Sequence, residues 1–559
     1  MPVPDIPAAK RAGLPVDLER LTAEGDAWLT PEQRYALKTH GVCAQAQPGV
    51  FMIRVRTGGQ LTADQARGLA DLAERHGHGW LHLTTRQQVE LHHVAAREVT
   101  TVTASVGALG LTTRSTCGHT LRGVMWCPDA GVSLDEPFDC GPDARAVAAA
   151  TLARTPDLDT RLPSRLNVHF GGCAACREHA RLNDAGFVST VRDGQPGYRL
   201  LLGGSLGRSV PTLAIDALDF LPRAHAVPAA LALVDVYVAH GNLDQPNKAR
   251  LKFLIRDLGE PRFLELFRQA YTRAVQLPLP PPPPVEVPDP VDVAGLLTQA
   301  PEGGWTGAVR PQRSPGRALV TVAVPLGDLD AEDARALADL AERHADGTLH
   351  PTRNQNLTLR HVALRDLPAL RRRLSCLGLS LDGADQASDV RACTGGPVCV
   401  LAITPSQEAA ANLLSSPALA RNSQLRVHLS GCPNACAQHQ VADIGLSGGK
   451  VNIGGRPQLG YQLWLGGDAR AGRVGTVVGR IAHRDVAAIT EAVVGLWEAL
   501  RQRGETFSDA IERLGTDVFA GHVDRVFRER WEAGPEPEVA VATSTALGPD
   551  RHLPLAVAS

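Results

Sequence analysis

A chain of 559 residues is too long for one ordinary core and long enough for two to four domains, and its 44% apolar and 21% charged residues are those of a soluble globular protein. A formal net charge of −2 gives no global electrostatic case for nucleic acid or an anionic membrane surface. The N-terminus has no signal-like apolar region, no uncharged apolar run reaches about 18 residues, and the 11 cysteines of so large a chain are expected to be reduced, so a cytoplasmic protein is expected.

In chain order, the first strong pattern is "LTADQARGLADLAERHGHGWLHLTTRQQVELHHV" from Leu61. It reads as an Ala/Leu-rich amphipathic helix, a glycine stop at Gly79, then an alternating strand. "NVHFGGCAACREHARLNDAGF" follows from Asn167, and "GYRLLLGGSLG" from Gly197. A polyproline stretch, "LPLPPPPPVEVPDP" from Leu277, should act as a semi-rigid spacer. The same patterns then return in the same order. "LDAEDARALADLAERHADGTLHPTRNQNLTLRHV" from Leu329, with its stop at Gly347, matches the first segment at about 20 of 34 positions without a gap. "RVHLSGCPNACAQHQVADIGL" from Arg426 and "GYQLWLGGDAR" from Gly460 complete the second copy. A period this long is a duplication, expected to pack about a pseudo-twofold axis with a large ligand in the shared cleft. The tail after about Gly534 has no helical period and reads as disordered.

The second copy holds four thiols in two loops: Cys393 and Cys399 in "CTGGPVC", and Cys432 and Cys436 in "SGCPNAC". A [4Fe–4S] cube wants four thiolates at a buried site, which two such loops can supply, and Gly395, Gly396, Gly431 and Pro433 permit turns whose amides point at sulfur. The residues alone favour the cube, with a zinc site and inert core cysteines still open.

The two cysteine loops resemble the cluster signature of the sirohaem nitrite and sulfite reductase family. The resemblance extends over most of the chain, through "FMIRVRTGG" from Phe51, "LTTRQ" from Leu83, "TCGHTLRGVMWCP" from Thr116, "LPSRLN" from Leu162 and "KARLKFLIRDLG" from Lys248. It implies an α+β fold of two ferredoxin-like half-domains plus two αβ sirohaem/cluster lobes about a pseudo-twofold axis. The expected divisions are 1–130 for the N-terminal segment and first half-domain, 131–276 for the first lobe, and 277–315 for the Pro-rich linker. The second half-domain is then 316–385, the cluster-bearing second lobe 386–533, and the tail 534–559. The cofactors implied are sirohaem and a [4Fe–4S] cluster, with Cys393, Cys399, Cys432 and Cys436 as ligands and Cys436 as the thiolate shared with the haem iron.

Sirohaem is rich in carboxylates and the substrates are anions, so such a site needs fixed positive charge. Opposite unit charges about 4 Å apart attract by roughly 4 kcal/mol at an effective dielectric near 20, and arginine supplies a permanently ionised planar fork. By resemblance, Arg54 and Arg122 match substrate-contacting arginines, while Arg86, Arg250 and Asn434 match cofactor-holding positions, with Lys248 and Lys252 adding charge. Asn354, Gln355 and Asn356 occupy the second copy's equivalent of the Arg86 segment and are candidate amide donors to the propionates. "LPSRLN" departs from the family. Sulfite reductases of this type read RKxK and nitrite reductases RKxN, whereas here Arg165 replaces the first lysine and Asn167 stands at the second. The asparagine favours nitrite, because one fewer cation suits a monoanion better than a dianion. Arginine keeps the charge of the first lysine but does not readily give up a proton.

The first-copy cysteines Cys117, Cys127, Cys173 and Cys176 lie roughly where the second copy has its ligands and read as a relic of the duplication. Cys43, Cys140 and Cys376 read as isolated small thiols, and His92, His93, His361 and His439 as packing residues. His119 and His169 are candidates for a proton shuttle. The implied activity is assimilatory six-electron reduction of nitrite to ammonium, with Arg54, Arg122, Arg165 and Asn167 at the substrate. There is no dinucleotide fingerprint, so electrons come from an external donor, expected to be ferredoxin, and a monomer is expected. Sulfite reduction with the same cofactors is the alternative, separable by assay on both anions. A precorrin-3B synthase-like monooxygenase is a further alternative, separable by the visible spectrum.

Overall fold

Thr62 and Gln65 form a reciprocal capping box that starts the helix Ala63–His76, whose buried face carries Ala66, Leu69, Ala70 and Ala73 at three- and four-residue spacing. The chain leaves this helix through Gly77 and Gly79, the latter at φ +78°, where a side chain would be strained. The next strands are Trp80–Leu83 and Gln88–Ala95. The second copy repeats the unit: helix Ala331–His344, Gly347 at φ +77°, and strands Thr348–Pro351 and Leu357–Ala363. The computed structural model describes residues 3–278, 281–285, 287–289, 291–381, 383–384 and 386–532. The tail expected to be disordered, 534–559, lies outside the described residues.

The chain divides into two compact units: residues 1–321, 328–367 and 469–472, and residues 322–327, 368–468 and 473–559. The first contains the first half-domain, most of the second half-domain's sheet and the first lobe. Each half-domain is a five-stranded antiparallel sheet, and each takes its last strand from the other copy. Asp328–Asp330 pairs with Trp80–Leu83, while Leu61–Thr62 pairs with Thr348–Pro351. The amides of Ala331 and Ala63 donate to Gly79 O (2.8 Å) and Gly347 O (3.1 Å) across this exchange. The two helices pack together with mirrored ion pairs, Arg67 to Asp339 and Glu342, and Arg335 to Asp71 and Glu74. The pseudo-twofold relation read from the repeat is thus built into the hydrogen bonding of this unit.

Gln87 and Gln355, equivalent positions at φ +56° and +65°, extend the same symmetry. Gln87 Nε2 donates to Pro351 O and to Trp126 O, both at 2.9 Å, and Gln355 Nε2 donates to Leu83 O at 2.9 Å and lies 3.2 Å from His82 Nε2. The expectation that Gln355 serves the cofactor is therefore corrected, since its amide nitrogen is committed to joining the copies. The stretch 277–315, expected to be a linker, carries the helix Val293–Thr298 and the strand Val309–Pro311. That strand pairs with Arg317–Val322 as the edge of the second half-domain sheet.

Each lobe is a five-stranded mixed sheet. In the first, Met125–Trp126, Val168–Gly171 and Ala185–Arg192 run parallel, and Gln195–Leu202 and Ile215–Pro222 continue antiparallel. Its core gathers Phe138, Phe170, Phe187, Tyr198, Tyr237, Phe263 and Phe267. The second lobe repeats the order with Arg391–Ala392, Val427–Ser430, Ile444–Ile453, Arg456–Leu465 and Thr476–Ala482, over a core around Tyr461, Trp497, Phe507 and Phe519. No helix among the described residues is long and apolar enough to cross a membrane.

Replacing Gln355 by alanine strands the buried Leu83 carbonyl and removes a tie between the copies. We expect a loss of about 1–3 kcal/mol, read as a lower unfolding midpoint. The visible absorption of the purified protein should not shift, which separates a joining role from a cofactor contact.

Candidate active site

In the second unit, Cys393 ends the strand Arg391–Ala392 and its amide donates to Leu429 O (3.2 Å). The neighbouring strand Val427–Ser430 runs into Gly431 and Cys432. Gly395, at φ +70°, and Gly431 are required by crowding: a Cβ on either would lie within 3.0 Å of backbone from the segment 404–406. The loop then reaches Cys436 through Ala435, itself at φ +58°. Burial pushes the Cys432 thiol up to about 12, with Cys436, Cys393 and Cys399 close enough to push it further, so the four sulfurs face one locus.

The donor set fits an iron–sulfur cube. Gly431 N donates to Cys393 Sγ (3.1 Å), and the amides of Gly395 and Asn434 favour the thiolate forms of Cys393 and Cys432. No three of the four sulfurs lie within 4.8 Å of one another. A single tetrahedral ion with metal–sulfur bonds of about 2.3 Å would draw them to roughly 3.8 Å, whereas a cube, with each thiolate on its own iron, keeps them wider apart. The zinc alternative for these four is disfavoured by that spacing. Cys393, Cys399 and Cys432 are buried or half-buried, and Cys436 is exposed.

In the first unit, strand Val50–Arg56 presents Arg54, the loop after Cys117 presents Arg122, and the turn after Leu83 presents Arg86. Burial lowers the Arg86 guanidinium far below its ordinary range, and Arg122, Arg165 and Arg54 lower it further, against one opposing carboxylate, Asp184. Four of the arginines singled out from the sequence therefore converge. Arg54 Nε donates to Glu90 Oε1 (2.8 Å), and its Nη2 pairs with the same oxygen. Arg122 donates to the carbonyls of Thr116 and Gly118, and Arg86 to that of Gly123 (3.2 Å). Arg250 Nη2 bonds both oxygens of buried Asp184 at 3.1 and 3.0 Å, and Asp184 Oδ2 also accepts from Asn167 N (2.8 Å). Lys252 is pulled down to about 8 by burial and then by Arg250.

Several buried polar atoms of this region have no hydrogen-bond partner: Arg86 Nε, Arg250 Nε, Asn167 Oδ1 and both amide atoms of Gln88. The orphaned donors among these, Arg86 Nε, Arg250 Nε and Gln88 Nε2, suit carboxylates or a small anion beside the crowded cations, while Asn167 Oδ1 and Gln88 Oε1 are acceptors. Gln88, which sequence reasoning missed, packs against Gly123, where a Cβ would lie 2.8 Å from its Nε2. Lys10 was also missed. It is buried on the helix Ile6–Arg11 and donates to the carbonyls of His119 (3.1 Å) and Asp159. The pair Gln87–Gln88 was the available signal for the first, and nothing in the N-terminal segment marked the second.

Other predicted residues fall elsewhere. Lys248 is exposed on the turn Pro246–Lys248. Asn354 is half-buried at the position equivalent to Arg86, and Asn356 is fully buried, its backbone amide bonded to Thr352 Oγ1 (3.1 Å). Burial holds His119 down to about 3 and His169 to about 4, which favours the neutral imidazole at both. The first-copy cysteines separate into two groups. Cys117 is held down to about 5 by a hydrogen bond from Cys43 and by Arg54 and Arg122, whereas Cys127, Cys173 and Cys176 gather in the lobe core.

Doubled half-sheets and doubled lobes, one carrying four thiols on two adjoining loops, define a class of cluster-bearing reductases. The description "nitrite and sulphite reductase 4Fe-4S domain" matches residues 117–274 and 383–531, and "nitrite/sulfite reductase ferredoxin-like half domain" matches 44–109 and 310–375. The chain belongs to the nitrite and sulphite reductase family, and is an oxidoreductase with sirohaem and a [4Fe–4S] cluster as its cofactors. Among its relatives, a ferredoxin–nitrite reductase of Synechococcus elongatus is 30% identical over 481 residues, 84% of this chain and 88% of that one. An assimilatory ferredoxin-dependent nitrite reductase of Haloferax mediterranei is 28% identical over 533 residues, 90% and 88% of the two chains. A ferredoxin sulfite reductase of Mycobacterium tuberculosis is 28% identical over 483 residues, 84% and 83%. The solved structure of the Mycobacterium tuberculosis NirA protein superposes with a TM-score of 0.76 at 25% identity, covering 93% of this chain and 98% of that one.

Asp184→Ala leaves Arg250 buried beside other cations with no carboxylate. We expect a loss of about 3–5 kcal/mol of stability, measured by chemical unfolding of wild type and variant in one buffer.

Proposed function

We propose that the chain reduces nitrite to ammonium in a six-electron reaction, as a cytoplasmic monomer supplied with electrons by reduced ferredoxin. The observation that carries this reading is the convergence of Arg54, Arg122 and Arg165 on Arg86, beside buried Arg86 Nε and Arg250 Nε that have no hydrogen-bond partner. When bound, the cluster delivers single electrons and the sirohaem iron supplies the open position at which N–O bonds break. Cys393, Cys399, Cys432 and Cys436 would hold the cluster, and Cys436, exposed among the four, would be the thiolate that couples it to the sirohaem. Arg86, Arg250, Asn354, Asn356 and Asn434 hold tetrapyrrole carboxylates, with Lys248 and Lys252 as outer charge.

Arg54, Arg122, Arg165 and Asn167 bind the anion. Glu90 fixes the Arg54 fork and leaves Nη1 directed at the Thr116 carbonyl at a loose 3.5 Å, a contact an oxyanion can displace. Arg165 stays ionised and binds without donating its proton. Asn167 favours nitrite over sulfite, in keeping with the nitrite reductases among the relatives.

Cys436→Ser should abolish multi-electron turnover, because a hydroxyl is a poor substitute for a bridging thiolate. Steady-state nitrite reduction near the wild-type rate would remove Cys436 from that role. Asn167→Lys adds a cation beside the arginines, and a dianion gains about twice the Coulomb energy of a monoanion from it. Screening leaves about 1–2 kcal/mol, so kcat/KM for sulfite relative to nitrite should rise roughly tenfold to thirtyfold. The check is kcat/KM for both anions with one reductant at fixed ionic strength, and an unchanged ratio would withdraw the preference for nitrite.

A further inference from the structure

The first lobe repeats the framework that holds the cluster in the second. Trp126 pairs with Phe170 as Ala392 pairs with Leu429, and the next amide donates across the pair in both: Cys127 N to Phe170 O (3.0 Å) and Cys393 N to Leu429 O (3.2 Å). Cys127 thus stands where Cys393 stands. Cys173 follows Gly172 as Cys432 follows Gly431, and the amides of Asn167 and Arg426 donate 2.8 Å to the equivalent carboxylates Asp184 and Asp443. What differs is the spacing of the sulfurs. Those of Cys127, Cys173 and Cys176 all lie within 4.8 Å of one another, Cys127 and Cys173 at 3.2 Å, and all three residues are buried.

We propose that Cys127, Cys173 and Cys176 bind a single divalent ion of the zinc class, a centre separate from the cluster and independent of which anion the enzyme reduces. A single ion with metal–sulfur bonds of about 2.3 Å places its thiolates roughly 3.8 Å apart, close to this set and too tight for a cube. Arg353 Nη1 donates to Cys176 Sγ at 3.0 Å, so three thiolates, a divalent ion and one guanidinium sum to zero charge, which burial favours. A monovalent soft ion would leave a buried negative charge.

Glu136 is buried near the Gly172 turn. Its Oε1 accepts from Ser133 N (3.1 Å), while its buried Oε2 has no hydrogen-bond partner. That oxygen and Cys140 Sγ each lie 3.4 Å from where a Cβ on Gly172 would sit, with Cys127 Cβ at 3.6 Å, so the carboxylate lines the Gly172 turn beside the three-sulfur group without joining it. Zinc takes four ligands; the three thiolates supply three, the fourth position is left to an exchangeable ligand such as water, and Glu136, whose carbonyl accepts from Arg313 Nη2 (2.6 Å), stands outside the three-sulfur group. Binding releases the thiol protons to solvent, and no redox change is involved.

The test is metal analysis of the holoenzyme, purified under reducing conditions and offered zinc before dialysis. One zinc per chain is expected in addition to the iron, with zinc-edge absorption fine structure giving three sulfurs near 2.3 Å. In Cys173→Ser, zinc should fall at least tenfold while iron per chain and the visible spectrum stay unchanged. The spectroscopy on wild type stands even where that variant does not fold. Wild-type zinc below a tenth of an equivalent, zinc bound through fewer than three sulfurs, a disulfide found in the reduced preparation, or loss of about four irons in the variant would each overturn the proposal.

Discussion

A guanidinium group cannot shed its proton, so burying several together obliges the surrounding fold to supply acceptors and negative charge. The first unit meets part of that demand. Glu90, on the strand next to Arg54, takes both its inner nitrogens, and Asp184 takes Arg250. Arg56, two residues on and on the same face of its strand as Arg54, anchors the loop that follows through the carbonyls of Arg114, Ser115 (3.1 Å) and Leu121. That loop carries Cys117 and aims Arg122, so one arginine of the strand positions another. The buried Nε of Arg86 and of Arg250 are left without a hydrogen-bond partner, and such donors suit the carboxylates of a tetrapyrrole or a small anion.

Holding such a site rigid requires that the two copies not slide past each other, and the exchanged edge strands prevent it. An edge strand pairs with whatever presents a complementary ladder. Here each copy caps the other's sheet with Leu61–Thr62 or Asp328–Asp330, so the edges of Trp80–Leu83 and Thr348–Pro351 are paired with the opposite copy and the register between the copies is fixed. Gln87 carries the constraint onward: it accepts from Trp126 N and donates to Trp126 O, tying the first-lobe strand that ends at Cys127 to the second half-domain.

The duplication was legible because helix period, glycine stop and alternating strand recur together over a long gapless stretch. The cluster loops were legible because thiols beside glycines leave few structural alternatives. The strand exchange was not, since two-residue strands carry no periodic signal, and the repeat is equally consistent with copies that each close their own sheet. Nor did sequence distinguish Gln355, which spans the copies, from Asn354 and Asn356 on either side of it. A backbone in the left-handed region at Gln355 aims that side chain across the interface, and no residue type announces such a conformation in advance. Lys248 and Lys252 look equivalent in the sequence, but one turn of chain leaves the first in solvent and buries the second against Val210 O (2.6 Å).

The contrast between the lobes shows how little is needed to change the metal a framework can take. Counted from the shared glycine, the second lobe places its last thiol four residues after Cys432, and the first places it three residues after Cys173. In the first lobe those three residues close a helical turn, with Cys176 N donating to Cys173 O (2.9 Å), which draws the two sulfurs together. In the second, Ala435 in the left-handed region opens the turn and leaves Cys436 exposed, so the sulfurs spread. At the place of Cys436 the first lobe has Arg177, whose Nε donates to Gly172 O (2.9 Å) and locks the tight form. One residue of register thus converts a wide four-thiol seat into a narrow three-thiol seat on the same pair of strands, and the widths, not the cysteine counts, decide between a cube and a single ion.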